Sequence, residues 1–71
     1  ERLARALLRL ADGSNRVEAT QEALATEIGS AREVISRQLS AFARAGLIET
    51  ARGHIELLDR AGLEAMAHHA D

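Results

Sequence analysis

Apolar residues recur along this chain with two different spacings. Leu3, Leu7 and Leu10 fall at i, i+4 and i+7, with Ala6 and Ala11 beside them and Arg2, Arg5 and Arg9 elsewhere on the surface, a pattern that predicts a first helix. Asp12-Gly13-Ser14-Asn15 is a turn cluster that stops it. The short polar/apolar stretch Arg16-Val17-Glu18-Ala19 predicts one edge strand. Thr20 is placed as the N-cap of a second helix, with Gln21 and Glu22 in its first turn and Leu24, Ala25 and Ile28 on its buried side. Gly29 ends that helix by supplying a left-handed conformation. A third helix starts almost at once, near Ser30. Ser30-Ala31-Arg32-Glu33 fits a capping box, and Ile35, Leu39 and Phe42 face inward at i, i+4 and i+7. Gly46 ends this helix at about residue 45, which puts Leu47 where it can pack on Phe42.

The spacing then changes. Residues 47–50 and 54–57 read as two short strands around Ala51-Arg52-Gly53, a hairpin with a glycine-bearing loop. Asp59 caps a last helix, with Leu58 and Leu63 placed as a hydrophobic staple and Leu63, Met66 and Ala67 on the apolar side. The tail from His68 to Asp71 is expected to fray. Two helices joined by about three turn residues that include a glycine make a helix-turn-helix. The order of elements therefore predicts a mainly α fold, a winged helix-turn-helix with a three-helix core, a small antiparallel β wing and a C-terminal helix. All 71 residues fit one domain, close to the size at which a single core is only marginally stabilising. The first helix has no residue ahead of it to cap it, so the chain is expected to be a fragment of a longer one.

Composition removes several function classes. With no cysteine there is neither a disulfide framework nor a thiolate metal site. No apolar run is long enough to span a bilayer and nothing resembles a signal peptide, so a soluble, cytoplasmic protein is expected. No serine has a histidine and an acid arranged in a recognisable motif, which argues against an enzyme. His54, His68 and His69 lack a carboxylate or cysteine at matching spacing, so no metal site is expected. Arg2, Arg5 and Arg9 beside leucines could mark a membrane-surface helix, but the other helices need that stripe to pack on. The net charge of −2 does not suggest a nucleic-acid binder. Its distribution does: between residues 31 and 53 the balance is +2, and the rest of the chain carries −4. All nine basic residues are arginine, the side chain suited to two-pronged contacts with guanine or phosphate.

Thr20-Gln21-Glu22-Ala23-Leu24-Ala25, the run from Ile28 to Leu39 containing Arg32-Glu33-Val34-Ile35-Ser36-Arg37, then Gly46-Leu47-Ile48 and Arg52-Gly53-His54-Ile55 resemble the Crp/Fnr family of bacterial transcription regulators. The resemblance extends to Arg2-Leu3-Ala4-Arg5-Ala6-Leu7-Leu8 and to Leu58-Asp59-Arg60-Ala61-Gly62-Leu63, nearly the whole chain. It implies sequence-specific binding of double-stranded DNA, with a recognition helix at about 31–45 in the major groove. Glu33 and Arg37 would read base edges there, and Arg32 and Ser36 would tune the flanking positions. Arginine can bond guanine O6 and N7 together, and glutamate can accept from cytosine N4. Phosphate contacts would fall to Thr20 and Gln21 at a helix N-terminus and to Arg52, Gly53 and His54 at the wing tip. Where this sequence has Ala31, many relatives carry a hydroxyl residue that caps the helix and touches phosphate, and Ser30 is the substitute for that phosphate contact. In the family an effector-binding β-roll and a long dimerisation helix precede this domain. The resemblance thus implies a homodimer on an inverted-repeat operator for the full protein, and a monomer for this chain by itself. RNA polymerase is a further candidate partner. No cofactor is expected within the chain, and the effector is not legible from it.

Two readings of the same residues remain open. Glu33 could serve only as the capping-box partner of Ser30, and Arg37 could be a solvated surface charge. A winged helix can also act as a protein–protein interaction module, although Arg32, Ser36, Arg37, Ser40 and Arg44 on the outer face of the third helix favour nucleic acid.

Overall fold

The computed structural model of the chain describes residues 2–11 and 13–68. Its elements are α1 (Arg2–Ala11), β1 (Arg16–Val17), α2 (Gln21–Ile28), α3 (Arg32–Arg44), β2 (Ile48–Ala51), β3 (His54–Leu57) and α4 (Arg60–His68). Helix α1 lies against α2, α4 and β1, while α2 packs on α3 and α3 on β2. The core that results is entirely apolar. Leu3, Leu7, Val17, Leu24, Ile35, Leu39, Ile48 and Leu63 are fully buried, and no polar or charged residue is buried among those described.

The stripe on α1 is not the one its leucines suggest. Leu3, Ala4, Ala6, Leu7 and Ala11 are buried, but Leu10 is 39% exposed. Leu10 lies one turn beyond Ala6 on the same flank of the helix, and the cover that Ala6 has does not extend that far. The small residues Ala4 and Ala11 take the inward places instead.

Helices α2 and α3 each end in a backbone closure of the same kind. At the end of α2 the Ser30 amide donates to Ala25 O (2.9 Å) and the Gly29 amide to Thr26 O (3.3 Å). At the end of α3 the Leu47 amide donates to Phe42 O and the Gly46 amide to Ala43 O, both at 3.0 Å. Each is a Schellman motif, in which the turn residue must adopt positive φ. Gly29 (φ 67°) and Gly46 (φ 81°) do so without steric cost.

The first closure overturns the capping box expected at Ser30. A capping box needs the Ser30 amide to donate to the Glu33 carboxylate, yet that amide already donates to Ala25 O at the end of α2. The N-cap of α3 is instead Ala31, in extended conformation (φ −73°, ψ 143°) and with no side-chain cap bond. Thr20 does cap α2 as its sequence position suggests, its Oγ1 accepting from the Ala23 amide at 3.1 Å.

The sheet has the order β1-β3-β2, antiparallel throughout, with β3 in the centre. The hairpin register pairs Ala51 with His54, which shifts β2 one residue along from the expected 47–50 and leaves a two-residue turn at Arg52-Gly53. The edge strand is shorter than expected, only Arg16 and Val17, paired with Glu56 and Ile55.

The staple expected between Leu58 and Leu63 does not form. Leu63 is fully buried, whereas Leu58 is 59% exposed, because Ile55 and Leu57 take the inward phase of β3 and leave Leu58 facing out. The entry to α4 is set by backbone bonds: the amides of Leu58 and Asp59 both donate to Leu47 O, at 2.8 and 3.0 Å. Asp59 Oδ1 accepts from the Gly62 amide at 2.9 Å, the cap the sequence predicts. A Cβ at Gly62 would lie 2.6 Å from Leu47 Cδ2 and 2.7 Å from Asp59 Oδ2, so only glycine lets α4 approach this corner without a shift. The tail from residue 69 onward lies outside the described residues, and His68 closes α4.

Two stability outcomes follow from this packing. Phe42 is 4% exposed and sits at the C-terminal end of the α3 core stripe, so Phe42→Ala should cost about 3–5 kcal/mol in urea unfolding. Ala31→Ser places a side-chain acceptor at a cap position that already has the right backbone, and should raise stability by about 1 kcal/mol. A higher urea midpoint at unchanged slope is the expected reading.

Candidate nucleic-acid interface

The inward stripe of α3 decides what its other side presents. Ile35, Leu39 and Phe42 are buried, and the helical repeat then places Glu33, Arg37, Ser40 and Arg44 on the opposite side, within roughly 60° of one another. These four are all exposed. Glu33 and Arg37, one turn apart, form an open ion pair, Arg37 Nη2 to Glu33 Oε2 at 3.8 Å. Pairs this exposed contribute little to stability. Their use is orientation, since each side chain is biased toward the other along the helix surface.

A groove runs along this side of α3, lined by Gln21, Arg32, Glu33, Ser36, Arg37, Ser40, Ala41 and Arg44. It unites all four residues expected to read bases. A second cleft, of about 360 Å3, opens between α3, the start of α2 and the wing. It unites Thr20, Gln21, Gly53 and His54 of the expected phosphate set, again with Arg32. Gln21 and Arg32 line both, so the two concavities form one continuous surface from the wing to the end of α3.

Two of the expected residues, Ser30 and Arg52, line neither concavity. Ser30 opens onto a separate shallow pocket with Arg2, Leu3, Ile28 and Gln38, because its backbone is committed to the end of α2. His54 lines the cleft, but its ring is engaged from both ends. Arg16 Nη2 lies 3.4 Å from Nδ1, and Nε2 lies 3.7 Å from Glu56 Oε2. Arginine can only donate, so Nδ1 accepts here. The Arg16 contact links the wing to β1, and His54 still lines the cleft. Arg52 extends from the exposed hairpin tip, where Gly53 supplies positive φ (81°).

The distribution of partners among the arginines singles out one side of the molecule. Arg2 and Arg5 donate to backbone carbonyls of Ile28 and Ala67. Arg9, Arg16 and Arg60 pair with Glu27, Glu18 and Glu64. Among the described residues, the guanidiniums of Arg32, Arg44 and Arg52 have no hydrogen bond or ion pair. Two of these three line the α3 groove and the third caps the wing. Composition could not reveal this, because partnered and unpartnered arginines count alike in a net charge. No group of three or more metal-ligating side chains occurs among the described residues, and no described helix is long and apolar enough to cross a membrane.

The chain matches the Crp-like helix-turn-helix domain family over residues 1–66. It is 36% identical over 74 aligned residues to the transcriptional regulator SdrP of Thermus thermophilus, an alignment covering 93% of this chain and 37% of that protein. Among solved structures it is similar to TTHB099, a Crp-family transcriptional regulator of Thermus thermophilus, with TM-score 0.87 and 39% identity over 97% of this chain and 40% of the other. It is likewise similar to the catabolite activator protein of Thermus thermophilus, with TM-score 0.85 and 34% identity over 93% of this chain and 32% of the other. The chain thus spans between about a third and two-fifths of the length of these relatives. These similarities, together with the winged helix-turn-helix architecture, place the chain in the Crp/Fnr family of transcription regulators, as a helix-turn-helix DNA-binding domain.

Proposed function

We propose that this chain binds double-stranded DNA sequence-specifically, as the output domain of a longer bacterial transcription regulator. In this reading α3 lies in the major groove, with Glu33 and Arg37 at base edges and Arg32 and Ser36 beside them. Helix α2 crosses the phosphate backbone, and the amides at its start, by Thr20 and Gln21, meet a phosphate. Arg52 and the Gly53 backbone at the wing tip meet a neighbouring one. His54, which lines the same cleft as Thr20, Gln21 and Gly53, is part of that phosphate contact. The observation that carries the reading is the confinement of the unpaired guanidiniums, Arg32, Arg44 and Arg52, to the α3 groove and the wing. A protein-interaction module would have no need to leave these charges unneutralised on one continuous surface.

Glu33 and Arg37 together suit one G·C pair, the arginine donating to guanine and the glutamate accepting from cytosine N4. Their 3.8 Å approach in the free chain keeps both side chains on the row that would face that base pair. A two-fold dimer would set two such helices one duplex turn, about 34–36 Å, apart on an inverted repeat. Dimerisation is proposed to come from the longer protein, with the isolated chain a monomer that binds one half-site weakly. Contacts to RNA polymerase belong to that longer protein as well.

In-vitro selection of bound duplexes, followed by titration, tests the division of labour. Arg37→Ala should cost about 1–3 kcal/mol on the selected site and relax the choice at a single base pair. An unchanged preference there removes Arg37 from base reading. Arg52→Ala should weaken all duplexes about equally and lower the salt slope by about one unit. A sequence-selective loss would assign Arg52 to readout instead. Both side chains are exposed, so both variants should keep stability within about 0.5 kcal/mol of the parent.

A further inference from the structure

We infer that the polar stripe of α3 makes a second backbone contact at its far end, with Arg44 binding a DNA phosphate beyond the bases read by Glu33 and Arg37. The inference rests on the DNA-binding reading above and extends it to a residue that the expected site did not include. Arg44 is exposed, lines the same groove as Arg32 and Arg37, and has no partner among the described residues. It lies on the line of Glu33, Arg37 and Ser40, opposite the buried Ile35, Leu39 and Phe42.

Length decides what such a residue meets. Eleven residues of helix separate Glu33 from Arg44, a rise of about 16 Å. The major groove is about 12 Å wide. A recognition helix of this kind meets base edges with its N-terminal residues, so with Glu33 and Arg37 at the bases the C-terminal end of the stripe is carried away from them. Its last turn comes out at the phosphate wall, where an extended guanidinium adds further reach. Ser40, between Arg37 and Arg44, is too short to bridge that gap itself and leaves the path open. The competing explanation is that Arg44 only offsets the helix dipole at the C-terminal turn. That role would require no place on the groove, and it would leave DNA binding untouched.

The test uses the 71-residue chain, the selected duplex and fluorescence anisotropy over a series of salt concentrations. Arg44→Ala should lower the slope of log affinity against log salt by about 0.9 and weaken binding roughly five- to tenfold at 0.1 M salt. The base preference should stay unchanged, and Arg44→Lys should restore most of the slope. Arg9→Ala removes a cation already paired with Glu27 on α1 and should leave the slope as it is. Neutral methylphosphonates placed one at a time along the duplex give the second readout. One position should weaken the parent chain but not Arg44→Ala, and thermal melting of the variant confirms that it is folded. If the two chains show equal slopes and equal sensitivity at every phosphate, the contact does not exist. If Arg44→Ala changes base preference, Arg44 reads sequence and the phosphate assignment is wrong. If the parent chain binds no duplex in a salt-dependent way, the DNA-binding reading fails together with this one.

Discussion

The burial of Ile35, Leu39 and Phe42 fixes how α3 is rotated about its own axis, and the interface depends on that angle. A helix can turn freely only until its apolar side is covered. Here the cover comes from Leu24 and Ala25 of α2 and from Ile48 of β2, all in the same core. Once that side is buried, the opposite row of Glu33, Arg37, Ser40 and Arg44 has only one direction to face. The reading side chains contribute almost nothing to stability themselves, being exposed and weakly paired. Their orientation is inherited from the core beneath them.

Backbone closures fix the ends of the helices as firmly as the core fixes their rotation. Gly29 and Gly46 each allow a Schellman motif, so α2 and α3 stop at defined residues and the link between them is short. Leu47 then serves two neighbours. Its amide ends α3, and its carbonyl accepts from both Leu58 and Asp59, which ties the exit of the wing to the end of the recognition helix. On the other edge, β1 pairs with β3, and the Leu57 amide donates to Asn15 O at 2.7 Å. The wing is therefore held from both sides, by β1 and by the end of α3.

Much of this was legible in the sequence, for identifiable reasons. The α2 and α3 stripes, the Thr20 cap, the two glycine stops and the hairpin each rest on a local preference that the tertiary structure does not oppose. The failures lie where two local preferences compete for one atom or one face. Ser30 can cap α3 or close α2 but its single amide cannot do both, and the glycine directly before it was the signal that α2 would claim it. Leu58 and Leu10 are apolar residues at plausible inward positions, and they lose to Leu57 in the strand phase and to Ala4 and Ala11 on α1. Only assembled packing decides such contests. At the interface, the residue types were legible but their neighbours were not: His54 lines the expected cleft and also lies within 3.4 Å of Arg16 on β1, a contact that only the sheet pairing reveals.

The electrostatics reconcile a net charge of −2 with a polyanionic partner. Long-range attraction depends on where charge is left unneutralised, within a screening length of about 10 Å at 0.1 M salt. On the sides away from α3, Arg9, Arg16 and Arg60 are neutralised by Glu27, Glu18 and Glu64. What remains is a set of free guanidiniums at Arg32, Arg44 and Arg52, with Arg37 held only loosely by Glu33. Glu33 is the one carboxylate on the exposed row of α3, and in the proposed docking it would be repelled by every phosphate unless a cytosine amine met it. Under that proposal the same side chain would weaken binding to the wrong sequence and steady Arg37 for the right one. In the proposed interface, affinity from Arg32, Arg44 and Arg52 and discrimination from the Glu33–Arg37 pair would thus be separate properties, carried by different residues of α3 and the wing.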